Sequence, residues 1–425
     1  MGEKIKALMN KENRKKLLNL MYSILAAGIF NLVIQIIVYP DFNRVLGDSA
    51  NGVALAIISM LAITAGTCGY AVNCSRILGV EKGYTKSSDY NIILLGMGII
   101  CSVIGVVYIY FRGYTSPLSL VLYILLMFAT MLRYYSEVEF KINTNFFRYM
   151  IYYILISVGY VAGLFIFRKT GQWMVPLIIG ESLAVLFVVI FGKIYRPPFI
   201  KPTKAFLPIF SSIGLIFLSA LIDNVTLHAD RILLLSITGN GTFVSIYYAA
   251  SLMGKVVSML TLPINAILIS YLVRYNGGLT KKLWLAIIAG ASAFGILGFA
   301  GCAVLSPFVI KILYTDLLAA ARPFLIPAIL GQVFYFVSGM LMMVLLRFKG
   351  EKKQLIFNAA YAVIFFSSVA VGTVIGGLTG FVYGILIANA VRFAAAVVWG
   401  FMKNSKCKVQ NAEIEEAAES KESKN

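Results

Sequence analysis

The chain has 425 residues, of which 60% are hydrophobic and only 13% charged, and its mean hydropathy is +0.86. A water-soluble chain of this length carries about a quarter charged residues, so the composition excludes most cytosolic enzymes and indicates a membrane-embedded protein. The net charge of +19 would suggest nucleic acid in a soluble protein; here the question is which loops hold the cations.

The N-terminus is basic, with Lys4, Lys6, Lys11, Arg14, Lys15 and Lys16 ahead of an apolar stretch from Leu17 to Tyr39. That stretch is too long for a signal-peptide core and reads as a retained first transmembrane helix. Residues 1–16 suit either a surface-lying amphipathic anchor or a plain orienting flank. Further spans are expected at Val53 to Cys74, Asn91 to Phe111, Leu118 to Glu137, Phe147 to Phe167 and Trp173 to Ile194. A polar, proline-marked linker, 195–204, follows. Six more spans run from Ala205 to Leu227, Phe243 to Leu272, Leu283 to Leu305, Pro323 to Leu346, Gln354 to Ile375 and Phe381 to Phe401. The expected fold is therefore an all-α integral membrane protein of about twelve transmembrane helices in two six-helix lobes, 17–194 and 205–401, around a central cavity. The tail, 402–425, is polar and acidic-basic mixed and reads as disordered.

With the N-terminus in the cytoplasm, the cytoplasmic segments hold 28 lysines and arginines and the opposite loops seven: Arg44, Arg112, Arg168, Lys169, Arg231, Lys311 and Arg322. This asymmetry follows the positive-inside rule, places both termini in the cytoplasm and accounts for the basic charge without nucleic acid. Arg44, Gly47 and Gly52 after the first helix of one half are echoed by Arg231, Gly239 and Gly241 in the other, as expected for parallel internal repeats.

Motifs for bond-making chemistry are missing: there is no HExxH, no GxSxG and no phosphate-binding loop, and a single histidine, His228, leaves zinc few ligands. Glu137 and Glu139 read as a solvated ion-pair cluster beside Arg133 and Lys141. The four cysteines within apolar runs read as packing residues.

A charge inside a span costs about 2.5–3.5 kcal/mol on insertion scales, so each asks for a reason. Lys255 lies deep in the eighth span and reads either as a cavity cation for an anionic substrate or as one half of a buried ion pair with Glu181. Arg392, in the last span, suits bidentate phosphate binding or snorkelling towards headgroups. Glu181 is a carboxylate at depth, suited to proton or sodium coupling or to neutralising Lys255 or Arg392. Asp223, Asp230 and Arg231 gather at the expected end of the seventh span, as a gate, a cation site or a solvated helix end. Asn31 and Gln35, four residues apart, share one face of the first helix, as a sugar path or as interhelical glue. Pro176, Pro208, Pro263 and Pro327 interrupt apolar helices, and Gly254 with Pro263 brackets a bending segment or a static kink.

The segment Ile36, Val38, Arg44, Leu46, Gly47, Gly52, Ala54 resembles the signature after the first helix of bacterial polysaccharide flippases. Asp230-Arg231-Ile232-Leu233-Leu234-Leu235, followed by Gly239, Tyr247 to Ala250 and Pro263, is similar to the pattern that opens their seventh and eighth helices. The resemblance is to the polysaccharide-transport branch of the multidrug/oligosaccharidyl-lipid/polysaccharide (MOP) exporter superfamily. It implies a transporter rather than an enzyme: a flippase that moves undecaprenyl-pyrophosphate-linked oligosaccharide across the bacterial plasma membrane by alternating access. Lys255, Arg392, Arg44, Arg231, Asn31 and Gln35 are then the expected substrate-contacting residues, and Glu181, Asp223 and Asp230 the expected ion-coupling ones. No metal or cofactor is implied beyond a proton or sodium gradient; membrane lipids and a polysaccharide polymerase are the implied partners. The alternatives are a multidrug or small-molecule cation antiporter of the same fold and a membrane-embedded glycan-modifying enzyme.

Overall fold

The computed structural model describes residues 11–81, 83–84, 86–259, 277–349 and 351–402, with the side chains at 11–17, 20, 81, 223, 257–259 and 351–352 outside that description. The described residues are helices and connections, with no strand among them. The helices are α1 Met21–Leu46, α2 Asp48–Val80, α3 Ser87–Tyr110, α4 Pro117–Ile142, α5 Phe146–Thr170 and α6 Met174–Phe191. Then come α7 Phe206–Thr238, α8 Gly241–Met259, α9 Lys281–Leu313, α10 Thr315–Lys349 and α11 Glu351–Phe401. Among the described residues nine helices are long and apolar enough to cross a membrane, and α7, bent by 48° between Ile222 and Asn224, makes a tenth.

The 51-residue α11 is itself two crossings. Gly377 breaks it with φ 55°, ψ −132°, and the two arms run back along each other. Ser368 Oγ donates to the Gly384 carbonyl at 3.2 Å, and Tyr361 OH to Asn389 Oδ1 at 2.7 Å. Gly372 and Gly380 meet nearer the break, where a Cβ on Gly380 would fall 1.8 Å from the Gly372 oxygen. Small residues at such a crossing let the backbones touch, the packing that works in lipid where apolar contact alone gives no driving force. The fold is thus all-α and multi-pass, as the hydropathy pattern predicts; the latter part of the expected eighth span, Pro263 included, lies outside the described residues.

Local sequence sets where helices start and stop. Ser116 caps α4 by accepting from Ser119 N at 3.2 Å, with Pro117 in the first turn, where a missing N–H costs nothing. Asn145 caps α5 in the same way through Arg148 N, and Gly171, at φ 71°, ends it. In α1 the ladder widens to a π segment over Val33–Val38, immediately before Pro40. A proline at 40 has no N–H to offer Ile36 and its ring crowds that carbonyl, so the turn expands instead of closing.

The chain divides into two compact units, Met1–Ser245 and Ile246–Asn425. In the first, α1 packs on α5, α5 on α6, α6 on α4, and α7 along α2. The seventh helix runs eleven residues past its expected end at Leu227, so Asp230 and Arg231 lie within it and are buried rather than in a solvated turn. In the second unit, α10 packs against α11 and α9 against α10. The 195–204 connection clings to the first unit. The Tyr195 hydroxyl lies 2.8 Å from Ser136 Oγ, and its burial pushes the phenol pKa up. Asn91 Nδ2 donates to the Phe199 carbonyl at 3.3 Å, and Thr203 gives both its N–H and its hydroxyl to Asp89, at 2.7 and 2.6 Å.

Candidate functional site

Glu181 is the centre of a buried polar network in the first unit. Its Oε2 accepts from Arg133 Nε at 2.8 Å and its Oε1 from Tyr160 OH at 2.7 Å. The Arg133 guanidinium carbon stands 3.7 Å from the Tyr134 ring centroid and 5.3 Å from that of Phe30, so aromatic faces cover the cation where carboxylates do not. One helical turn on, Glu137 accepts from Tyr153 OH at 2.6 Å and from Lys141 Nζ at 2.7 Å, while Tyr152 OH donates to the Arg133 carbonyl. Two carboxylates thus face two cations and the network is electroneutral. Burial of such groups is tolerable only with this degree of pairing.

Glu137 and Glu139, expected in solvent, are buried: α4 continues to Ile142, and the residues after α6 fold over its end, giving Glu139 Oε2 the N–H groups of Lys193 and Ile194 at 2.9 and 3.1 Å. Arg133 and Arg76 were hidden in the sequence among the cations expected to flank spans. Arg76 is also buried, donating to Ser87 Oγ at 3.0 Å and to the Tyr135 hydroxyl, with the Tyr90 ring 5.2 Å away. The only sequence signal for Arg133 was its i, i+4 spacing to Glu137.

At the end where α1 meets α2, the repeat-like residues come together. Gly52 and Gly241 touch through their backbones, and Asn51 Nδ2 donates to Asn43 Oδ1 at 2.9 Å and to Ser245 Oγ at 3.0 Å. Ser245 Oγ in turn donates to the Asp48 carbonyl at 2.7 Å. Arg44 is exposed on the flank of this cluster, and Asp41 beside it is held by Arg168 Nη2 at 2.7 Å and Nε at 3.0 Å. Arg231 is 9% exposed and hydrogen-bonds the Tyr39 phenol, and Asp230 Oδ1 accepts the Arg231 N–H at 2.8 Å. Gln35 is buried in the π segment, whereas Asn31 turns back to donate to its own helix at Ala27 O, 2.8 Å. The π turn intervenes between the two amides, which changes their helical spacing. The side chain of Asp223 lies outside the described residues, and His228 is half-buried in α7.

In the second unit, Lys255 is half-buried on α8 with its Nζ 5.4 Å from the Tyr247 ring, which meets Phe381 edge-on at 4.9 Å. Gly254 lets α8 sit against Gln332 of α10, whose side chain a Cβ would approach to 2.9 Å. Arg392 is held between two rings: its guanidinium carbon is 4.5 Å from the Tyr335 centroid and 4.6 Å from that of Tyr361. Tyr361 is fixed by its bond to Asn389, whose Nδ2 donates to Gly331 O at 3.0 Å. The Nε and Nη1 atoms of Arg392 are buried and meet no acceptor among the described residues. The two ring centroids are 6.4 Å apart, so the rings meet the guanidinium from adjacent sides, and Nε and Nη1 are the donors with which a carboxylate or phosphate can be held. Among the described residues no group of histidines, cysteines and carboxylates could hold a metal ion.

No protein-family model and no curated protein sequence matches the chain. Solved structures do. An inward-facing multidrug resistance MATE family transporter of the MOP superfamily is 14% identical with a TM-score of 0.66, over 89% of this chain and 93% of that one. The lipid II flippase MurJ, in an inward closed conformation, is 16% identical with a TM-score of 0.72, over 89% and 87%. The Vibrio cholerae MATE transporter VcmN in its bent form is 14% identical with a TM-score of 0.58, over 90% and 94%. On this likeness the chain has the fold shared by these MATE transporters and the lipid II flippase MurJ.

Proposed function

We propose that the protein is a flippase of the bacterial plasma membrane, with both termini cytoplasmic, that moves an undecaprenyl-pyrophosphate-linked oligosaccharide between leaflets by alternating access. The observation that carries the reading is the balance of intramembrane charge. The deep carboxylate Glu181 is neutralised within its own unit by Arg133, whereas Arg392 keeps two buried donors that meet no acceptor among the described residues. Lys255 adds a second cation in the same unit. An excess of cation suits a pyrophosphate and opposes the organic cations that acidic cavities select. Arg392 and Lys255 would grip the phosphates, Arg44 and Arg231 would act near the α1–α2 end, and Asn31 and Gln35 would meet sugar hydroxyls. Glu181, Asp223 and Asp230 would couple the cycle to a proton or sodium gradient, with 17–194 and 205–401 as the moving lobes. A polysaccharide polymerase would take the product.

A second reading, a multidrug or small-molecule antiporter, is supported by the likeness to MATE transporters. Complementation separates the two. A strain lacking the gene receives wild type, Lys255→Ala or Arg392→Ala at matched membrane levels. The flippase reading expects restored surface glycan with wild type, and lipid-linked intermediate accumulating on the inner leaflet with the variants. Unchanged glycan on deletion, together with lost drug tolerance, would put the antiporter in its place.

A further inference from the structure

The first unit carries a recess where the end of α4, the start of α5 and the end of α6 meet, beyond the Arg133–Glu181 pair and apart from the residues assigned to substrate and ion above. It is a cavity of ≈ 180 Å³ lined by Glu139, Phe140, Asn145, Arg148, Phe187 and Lys193, among others. Water occupies roughly 30 Å³ per molecule, so this is room for a chemical group rather than a single solvent molecule.

Its wall sets three phenylalanines, Phe140, Phe187 and Phe191, beside two cations, Arg148 and Lys193. Phe140 is buried and stacks on Phe187 at 6.2 Å with an interplanar angle of 24°, and Phe187 meets Phe191 at 5.2 Å. Phe191 is 60% exposed and ends a stripe of α6 formed by Leu183, Leu186, Val189 and Ile190, all exposed and apolar. In a membrane protein such a stripe faces acyl chains, so the cavity opens where a lipid tail already lies. On the other side, Arg148 and Lys193 are exposed and form no ion pair among the described residues. The carboxylate in the wall, Glu139, is already engaged: Oε2 takes the Lys193 and Ile194 N–H groups and Oε1 takes Asn143 Nδ2 at 3.0 Å. Two cations against one engaged carboxylate leave the recess one positive charge in excess, which one phosphodiester balances.

We propose that this recess is a site for one anionic phospholipid, its phosphate held by Arg148 and Lys193 and its acyl chain lying along Phe187 and Phe191. An anionic headgroup is favoured over a zwitterionic one because a choline or ethanolamine nitrogen would meet Arg148 and Lys193 with like charge. The site is independent of which substrate the transporter carries.

The test uses the full chain in detergent, titrated with phosphatidylglycerol or phosphatidylcholine and read by native mass spectrometry. Wild type should retain one phosphatidylglycerol in preference to phosphatidylcholine. Arg148→Ala and Lys193→Ala should each weaken that binding about fivefold, and the double variant should abolish the preference. Both side chains are exposed, so the variants fold, and an unchanged thermal midpoint verifies it. Phe187→Ala should weaken phosphatidylglycerol without restoring phosphatidylcholine. Equal retention of the two lipids by wild type, or wild-type preference in the double variant, overturns the proposal. So does displacement of the lipid by millimolar inorganic phosphate with no effect of Phe187→Ala, which would make this a free-phosphate site.

Discussion

Gly52 of α2 and Gly241 of α8 are so close that a Cβ on Gly52 would lie 1.8 Å from the Gly241 carbonyl oxygen, and one on Gly241 would lie 2.1 Å from the Ser49 oxygen. Both oxygens are backbone atoms, so neither can swing aside. Overpacking of this kind costs about 1–3 kcal/mol or more. Gly52→Val should lower the thermal midpoint of the purified protein by several degrees and reduce membrane yield. Gly96→Ala in α3, where a Cβ meets nothing within 4 Å, should be neutral or slightly stabilising.

The Arg133–Glu181 pair offers a thermodynamic cycle. Removing one partner of a buried pair leaves an uncompensated charge and costs about 3–5 kcal/mol, whereas removing both costs far less. Arg133→Met and Glu181→Met should each destabilise strongly, and the double variant should be more stable than either single one, as read by thermal unfolding in detergent. Equal, additive losses would mean the 2.8 Å contact carries no coupling.

Arg392 separates charge from shape. Arg392→Lys keeps the cation but loses the planar fork packed against Tyr335 and Tyr361, and a charged hydrogen bond is worth about 1.5–3 kcal/mol. Glycan export should therefore fall about tenfold or more with lysine and be lost with alanine. Tyr335→Phe, which keeps the ring, should export as wild type, while Tyr335→Ala should resemble the lysine variant.

Pro40 is the cause assigned to the π segment at Val33–Val38. Pro40→Ala should let α1 close into a regular helix, rotating residues before position 33 relative to those after 38. A single cysteine placed at Asn31 should change its labelling rate with a water-soluble maleimide when Pro40 is replaced, and remain unchanged if the π turn has another origin.

How far the sequence could be read depended on the range of the interaction involved. Helix positions were visible because each crossing needs about twenty apolar residues and lipid leaves the backbone few alternatives. The end of α7 was not: Asp230 and Arg231 carry charges that suggest solvent, and the Tyr39 phenol that Arg231 meets when buried comes from another helix. Glu181 stood out as a deep carboxylate, but its partner lies 48 residues away on α4, and a single chain carries no record of which helix faces meet. The aromatic clamp on Arg392 was hidden for the same reason, since Tyr335 and Tyr361 looked like two among 24 tyrosines. Conversely, the echo of Gly52 in Gly241 was visible as repetition before the two glycines proved to touch.

The connection between α6 and α7 behaves less like a rope than like a strap buttoned at three points. Tyr195, Phe199 and Thr203, spaced by four, are each fastened to α4 or α3, while the residues between them lie open to solvent. A proteolytic nick at Ile200 would therefore sever the polypeptide yet leave both new ends fastened to the same helices. Two fragments made separately and joined at this strap meet through Thr203 of the second and Asp89 of the first, while Tyr195 on Ser136 keeps the first fragment's end in place.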